Sequence, residues 1–382
     1  MDSPRPLTRR EALRALGTAA ATLPLAGCVA LGWPPPPSEP VAVFPPAPLD
    51  PIPTERAEVM AMERDGRVRR MRRPRPVLLP PRLPAGGVVG LVAPAGVLRS
   101  TGQLDDAVEA LEGLGFRTKV GRNVLARFGF LAGTDAERAR DFMAMVRDPE
   151  VDAILSVRGG WGCARILPLL DYDEIAAHPK PIVGYSDITA LLLAIYAKTG
   201  LVTFHGPVGV STWQGLTSGS FVRTLVDGVA PVLTPETRSN RDRTQTVRGG
   251  TARGPVVGGN LSVIAALAGT GYLPDFEDHL VFFEEVGEDA YRLDRMLTQL
   301  DLAGVLGDQA GVAFGQCSGC SSGGSSWSAE ETVRRHLERY RSPSILGAPI
   351  GHVSPVYTLP IGLNARLDAD AGTLEYLQSA VS

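Results

Sequence analysis

The chain has 382 residues, 44% hydrophobic and 21% charged, with a net charge of −3. That leaves room for two or three domains of ordinary globular composition and excludes a nucleic-acid binder that works by neutralising phosphates. Four cysteines are too few for a disulfide scaffold of this length, and no apolar run reaches the roughly 20 residues of a membrane-spanning helix.

Of 32 prolines, 18 fall within residues 1–84, so this stretch stands apart from the rest. Thr8 to Arg14 (TRREALR) is basic and runs into an apolar stretch, Ala15 to Gly27, of signal-peptide length. Arg9-Arg10 fits a twin-arginine export signal, with Ala12 where a large apolar residue is usual. Leu25-Ala26-Gly27-Cys28 is similar to the lipobox of bacterial lipoproteins, in which the signal is cut before the cysteine and its thiol takes a diacylglycerol. A buried amphipathic helix bearing a cysteine is the alternative. The order of charge, apolar core, small residues and cysteine argues against it.

Residues 1–27 are therefore expected to be an export signal and 28–84 a tether, rich in proline and then in arginine. Its proline-dense part, Trp33 to Pro53, favours an extended spacer. Arg64 to Arg75 carries seven arginines in twelve residues, a solvated linker or a patch facing anionic headgroups. The expected location is the cell envelope, on the periplasmic side, with a lipid at Cys28 holding the protein to the membrane.

From residue 85 strands alternate with helices. Gly87 to Pro94 is a short apolar run stopped by proline, as a buried first strand requires. Gln103 to Leu114 has apolar residues at helical spacing, and Gly115 closes it. A helix over Ala136–Val146, strands at Val151–Val157 and Pro181–Tyr185, and a helix over Ile188–Lys198 follow. This alternation predicts an α/β domain at 85–233 with a parallel sheet covered on both faces. Ser211 to Gly249 is polar and weakly periodic, which places a linker at 234–249. A second domain is expected over 250–382, with strands at Leu280–Phe283 and Gly311–Gly315, helices at Arg292–Leu302 and Ala329–Arg339, and further strands near the C-terminus.

Chemistry is sought at strand ends. Of five histidines, His178 and His279 sit in polar turns and His336 on a charged helix, whereas His205 and His352 follow apolar runs beside glycine. Cys317-x-x-Cys320 has no second pair, and neither zinc spacing nor a phosphate-binding glycine loop is present. Gly184-Tyr185-Ser186-Asp187 closes a strand and opens a helix. Such a turn exposes the Ser186 oxygen and sets the Asp187 amide at the positive helix end, although Ser186 as a plain N-cap is the alternative.

Ser156 to Gly162 ends a strand in a glycine turn able to present amides to a developing charge, and Glu284-Glu285 and Gly351-His352 end two others. Read together, Ser186, Glu284 and His352 make an acyl-transfer triad in the order serine, acid, histidine. Arg158 is a candidate for a substrate carboxylate, since a planar fork suits one, or for a structural ion pair. Asn260 is a candidate donor to substrate amides, or a brace of the Gly258-Gly259 turn.

With their surroundings these strings resemble the bacterial LD-carboxypeptidase family, serine peptidases that trim murein tetrapeptides, together with the related microcin C self-immunity peptidases. The strings are Phe130–Asp135 (FLAGTD) with Arg138, Arg158–Gly162 (RGGWG) with Ile166-Leu167-Pro168, Gly184–Thr189 (GYSDIT), and His205-Gly206-Pro207. Further on come Gly258–Leu261 (GGNL), Glu284-Glu285, Tyr291 with Asp294-Arg295, Gly351-His352 and Leu359–Gly362 (LPIG). The match covers roughly Gly87 to Leu377.

The resemblance implies a flavodoxin-like N-terminal α/β domain, a β-rich C-terminal domain and a cleft between them. It also implies a homodimer and no metal or other cofactor. Ser186 would be the nucleophile, His352 the base and Glu284 the orienting carboxylate, with the amides of Gly160 and Asp187 as oxyanion hole. Trp161 stands where tyrosine is frequent and joins the candidate substrate-binding residues. Glu285 stands where aspartate is frequent, which leaves the choice between the two adjacent carboxylates open, with Glu284 at the family's position. The expected reaction releases a C-terminal D-amino acid. A microcin-type acyl adenylate as substrate, or a silent wall-peptide binder, are the alternatives.

Overall fold

A computed structural model of the chain describes residues 76–235 and 243–382. The expected export signal, Cys28 and the tether as far as residue 75 lie outside the described residues.

The N-terminal half runs through β1 (Val88–Val92), α1 (Gly102–Gly113), β2 (Arg117–Val120), α2 (Asp135–Arg147), β3 (Ala153–Ser156) and the short α3 (Cys163–Ile166). It continues through α4 (Tyr172–Ala177), β4 (Ile182–Gly184), α5 (Thr189–Thr199), β5 (Thr203–His205), α6 (Leu216–Leu225) and β6 (Val232–Leu233). β1 to β5 are parallel neighbours in the order β5-β4-β3-β1-β2. β1, β3, β4 and β5 are buried at every residue, as sheets covered on both faces by crossover helices demand. α2 starts with a capping box, in which Thr134 and Glu137 each satisfy a backbone amide of the other. α5 is apolar nearly all round because it lies inside the molecule, Thr189 to Ile195 all being buried.

The C-terminal half contains β7 (Gln245–Arg248), β8 (Thr251–Asn260), α7 (Leu261–Leu267), β9 (Leu280–Val286), α8 (Ala290–Leu302) and β10 (Gly311–Ser318). α9 (Ala329–Leu337), β11 (Ser344–Ala348), β12 (Leu359–Ile361), β13 (Asn364–Asp368) and β14 (Thr373–Tyr376) complete it. Its eight-stranded sheet has the order β6-β14-β13-β8-β9-β10-β11-β7. The half is strand-rich, and its centre is itself α/β: β8 to β11 are parallel, with α7, α8 and α9 crossing between them.

The two halves exchange edge strands. β12 leaves the C-terminal half to pair antiparallel with β5, setting Leu359 opposite His205, and β6 joins the second sheet through β14. Pro360, which has no amide to give, is tolerated there because β12 is an edge. The sheets thus cross the expected division at 234–249, and one continuous apolar core runs through both halves.

Two segments depart from the sequence expectation. α6 forms within the polar stretch beginning at Ser211, because Phe221 and Leu225 are fully buried and their burial outweighs a weak local pattern. β7 forms within the span read as linker, pairing antiparallel with β11. No helix of the described residues is long and apolar enough to cross a membrane.

Candidate active site

β4 ends at Gly184, and the chain turns sharply through Tyr185 into a short 3-10 turn, Ser186–Ile188, that leads into α5. Ser186 sits in this turn at a φ of +63°, a conformation that costs an ordinary residue roughly 1 kcal/mol or more. A strained serine at a strand-to-helix turn is the geometry that lifts a hydroxyl clear of the sheet. The Asp187 amide lies in the first turn of the helical segment, where amides lack an intrahelical acceptor. The Asp187 side chain faces away, accepting from the Cys163 amide at 2.7 Å. Burial pushes its carboxyl up to about 6, against the lowering effects of the Cys163 amide and Arg138.

The turn after β3 packs against Ser186. A methyl group on Gly159 would stand 2.7 Å from the Ser186 Cβ, so only glycine allows the approach. Gly160 next to it has a φ of +119°, and its amide finds no acceptor among the described residues. The turn is braced by Arg138, to which the sequence pattern alone assigns no role. Projecting from α2, its buried guanidinium donates to the carbonyl of Gly162 at 2.8 Å, to that of Pro94, and to Asp135. A capping box that fixes the start of α2 therefore also fixes the loop facing Ser186.

Glu284 and Glu285 are adjacent on β9 and point to opposite sides of the sheet. Glu284 is fully buried, and its Oε2 meets His352 Nδ1 at 2.7 Å. Gly351, at a φ of +111°, permits this, since a Cβ there would lie 2.6 Å from the Glu284 Cβ. Burial disfavours the charged imidazole. The hydrogen bond and charge of Glu284, aided by Glu285, outweigh it and raise His352 above the ordinary histidine value. The His352 carbonyl is pinned by Ser318 Oγ at 2.8 Å, and its ring stacks edge-on to Tyr185, centroids 4.9 Å apart. The structure thus brings Glu284 and His352 into contact and sets His352 against the residue preceding Ser186. It makes no hydrogen bond between Ser186 and His352, a contact that is often loose before substrate binds.

Glu285 does other work. It accepts from Asn260 Nδ2 at 2.9 Å and from the amides of Ser262 and Val286 at 2.8 and 2.9 Å, tying β9 to the start of α7. Burial raises its pKa, with the Glu284 charge adding and the three donors opposing. Of the two readings of Asn260, donor to substrate or brace of the turn, the contacts favour the brace. It is buried, caps α7 through Val263 and accepts from Ser262 Oγ, so both ends of its amide are engaged and it braces the turn rather than facing substrate.

Arg158 is half-buried and donates to the Val97 carbonyl at 3.1 Å, with no carboxylate partner among the described residues. Trp161 is 65% exposed and meets Phe130 edge-to-face. His205 is buried between Tyr185 and Phe282, and burial lowers it to about 4, a neutral ring beneath the site. Cys317 and Cys320, at the end of β10 beside the Ser318 clamp, are joined in a disulfide. Among the described residues no group of three or more His, Cys, Asp or Glu side chains is placed to hold a metal ion.

Two family models match the chain, the LD-carboxypeptidase N-terminal domain over residues 89–206 and the LD-carboxypeptidase C-terminal domain over 253–367. The murein tetrapeptide carboxypeptidase of Pseudomonas aeruginosa is 33% identical over 296 residues, 75% of this chain and 95% of that protein. The microcin C7 self-immunity protein MccF of Escherichia coli is 30% identical over 302 residues, 72% of this chain and 88% of its own. Among solved structures, the muramoyltetrapeptide carboxypeptidase from Oxalobacter formigenes superposes with a TM-score of 0.66 at 29% identity, covering 76% of this chain and 97% of that one.

Proposed function

The chain belongs to the LD-carboxypeptidase family of serine peptidases, and on that premise we propose that it releases the terminal D-alanine of murein tetrapeptides through a Ser186–His352–Glu284 triad. The observation that carries this is the 2.7 Å bond from His352 Nδ1 to buried Glu284, on a ring packed against the residue before a strained Ser186. With Nδ1 bonded to Glu284, Nε2 is the nitrogen left to take the Ser186 proton.

The serine oxygen then attacks the amide between an L-configured centre and the D-residue. The amides of Gly160 and Asp187 receive the oxyanion, and Glu284 stabilises the imidazolium. His352 returns its proton to the leaving amine, D-alanine departs, and water activated by the same histidine hydrolyses the acyl-serine. Arg158 takes the terminal carboxylate, and Trp161 covers the substrate beside the oxyanion turn.

Wild-type protein given a murein tetrapeptide should liberate D-alanine, and Ser186→Ala should lose about six orders of magnitude in kcat. No D-alanine from the wild type, or full turnover by Ser186→Ala, would overturn the assignment. The similarity to MccF supports a second substrate, a microcin-type acyl adenylate, separable by offering both substrates to one preparation. A silent binding role is disfavoured by the complete set of catalytic side chains.

Export and anchoring are also proposed. The Arg9-Arg10, apolar core and Cys28 order suits a lipoprotein, and the Cys317–Cys320 disulfide is compatible with an oxidising compartment. A lipidated enzyme there would act on wall peptides in place, as a homodimer like those the family resemblance implies.

A further inference from the structure

The segment Val97–Arg99, between β1 and α1, gathers positive charge beside the oxyanion turn. Arg158 donates to the carbonyl of Val97, Arg127 donates to that of Leu98 at 3.2 Å, and Arg99 follows directly. None of the three pairs with a carboxylate among the described residues, which leaves their charge available to a ligand. Burial, and then the like charge of Arg99, lowers Arg158 below the ordinary arginine value, as expected where cations meet without a counter-ion. Gly96 touches the Gly159–Gly160 turn, so the cluster is directly continuous with the site.

Its rim is apolar. The hairpin Phe128–Leu131 bonds back to Val97 through the Phe130 carbonyl, and Phe128, Phe130 and Trp161 are all more than half exposed. Phe130 and Trp161 meet at 83°, edge to face, which leaves no parallel pair to sandwich a nucleobase. Guanidinium forks with an apolar rim suit an extended peptide bearing several carboxylates.

We propose that Arg99, Arg127 and Arg158 form a carboxylate-binding arc that selects wall peptides with free carboxylates over their amidated counterparts. The proposal rests on the peptidase activity above and extends it. One arginine takes the terminal carboxylate. The other two take side-chain or main-chain carboxylates of the peptide upstream of the scissile bond. Amidation of those groups removes the charge while keeping size and shape, so it isolates what the arc reads.

The test compares a free-acid tetrapeptide with the same peptide amidated at its upstream carboxylates, the terminal carboxylate being kept in both. Affinity for full-length Ser186→Ala is measured by calorimetry, and KM and kcat for the wild type. The free acid should bind about five- to tenfold more tightly, as expected for partly exposed charge pairs, and the preference should shrink as salt rises from about 50 to 500 mM. Arg99→Gln and Arg127→Gln should each reduce the ratio through KM rather than kcat, and the lysine variants should keep part of it. Equal affinity of the wild-type site for both peptides, or an unchanged ratio in the double glutamine variant, would overturn the arc. Adenosine monophosphate displacing the free-acid peptide with comparable affinity would overturn the carboxylate assignment in favour of phosphate. If both peptides are cleaved with one KM, the arc fails and the peptidase assignment stands. If neither is cleaved while the free acid binds better, the peptidase assignment fails instead.

Discussion

Two adjacent carboxylates with different tasks are the sharpest feature at the scale of single residues. Glu284 has one partner, the imidazole, whereas Glu285 holds two donors of the α7 start, Asn260 and Ser262, and the amide of Val286 on its own strand. Glu284→Gln should lower kcat by about four orders of magnitude, because the amide favours the wrong imidazole tautomer, and leave Tm nearly unchanged. Glu285→Gln should do the reverse, lowering Tm by roughly 3–8 °C through lost charge-assisted bonds with little change in kcat. Kinetics and thermal melts on both variants check this, and the opposite ranking would make Glu285 the orienting acid.

The same contact sets a pH dependence. His352 must be neutral to act as a base, and its pKa is raised, so kcat/KM should climb through a midpoint above the ordinary histidine value of about 6.5. Removing the Glu284 charge leaves burial as the main influence, so in Glu284→Gln the residual activity should reach half its maximum at a lower pH. A midpoint that moves upward would show that another group controls the acid limb.

Between elements, the pairing of α9 with α8 depends on a histidine that the sequence placed merely on a charged helix. His336 is buried, its Nε2 2.9 Å from Asp294 with Asp301 nearby. Burial opposes its charge, but the bonds and charges of Asp301 and Asp294 raise its pKa overall. A raised folded-state value means the contribution to stability is complete below about 6.5 and is lost as pH rises through the higher folded value. His336→Gln should therefore cost about 1–2 kcal/mol near pH 6 and progressively less at alkaline pH. Melts of both proteins at pH 6 and 8.5 would show it, and a gap that widens with pH would contradict the pairing. Local strings foretold both helices. Nothing in them foretold that His336 would turn inward, because that depends on which face of α9 meets α8.

For the molecule as a whole, the prediction concerns its address. If Cys28 carries the lipid, wild-type protein should fractionate with membranes and its cysteine peptide should show the diacylglycerol mass. Cys28→Ala should be released from the membrane fraction, since two acyl chains anchor stably and a bare tether does not. Wild-type protein that is soluble in the cytoplasm with residues 1–27 intact would refute export and leave the catalytic proposal standing. Size-exclusion chromatography with light scattering on the same preparations reads the proposed homodimer directly.

The sequence determined what depends on neighbours along the chain. Apolar runs between turn residues marked β1, β3, β4 and the start of β9, helical spacing marked α1 and α2, and small motifs marked Ser186, Glu284 and His352. β9 itself runs on through Glu284 to Val286 and is not closed by that residue. Tertiary structure decided what depends on residues distant in sequence. It folded α6 from a polar stretch around Phe221, returned β12 to the edge of the first sheet, turned Asn260 inward as a cap and set Arg138 beneath the glycine turn. The reason is one of energies. A local pattern of a few tenths of a kcal/mol per residue yields to burial of a single large side chain, at about 1.5–3 kcal/mol, and only the folded arrangement says which side chains are buried.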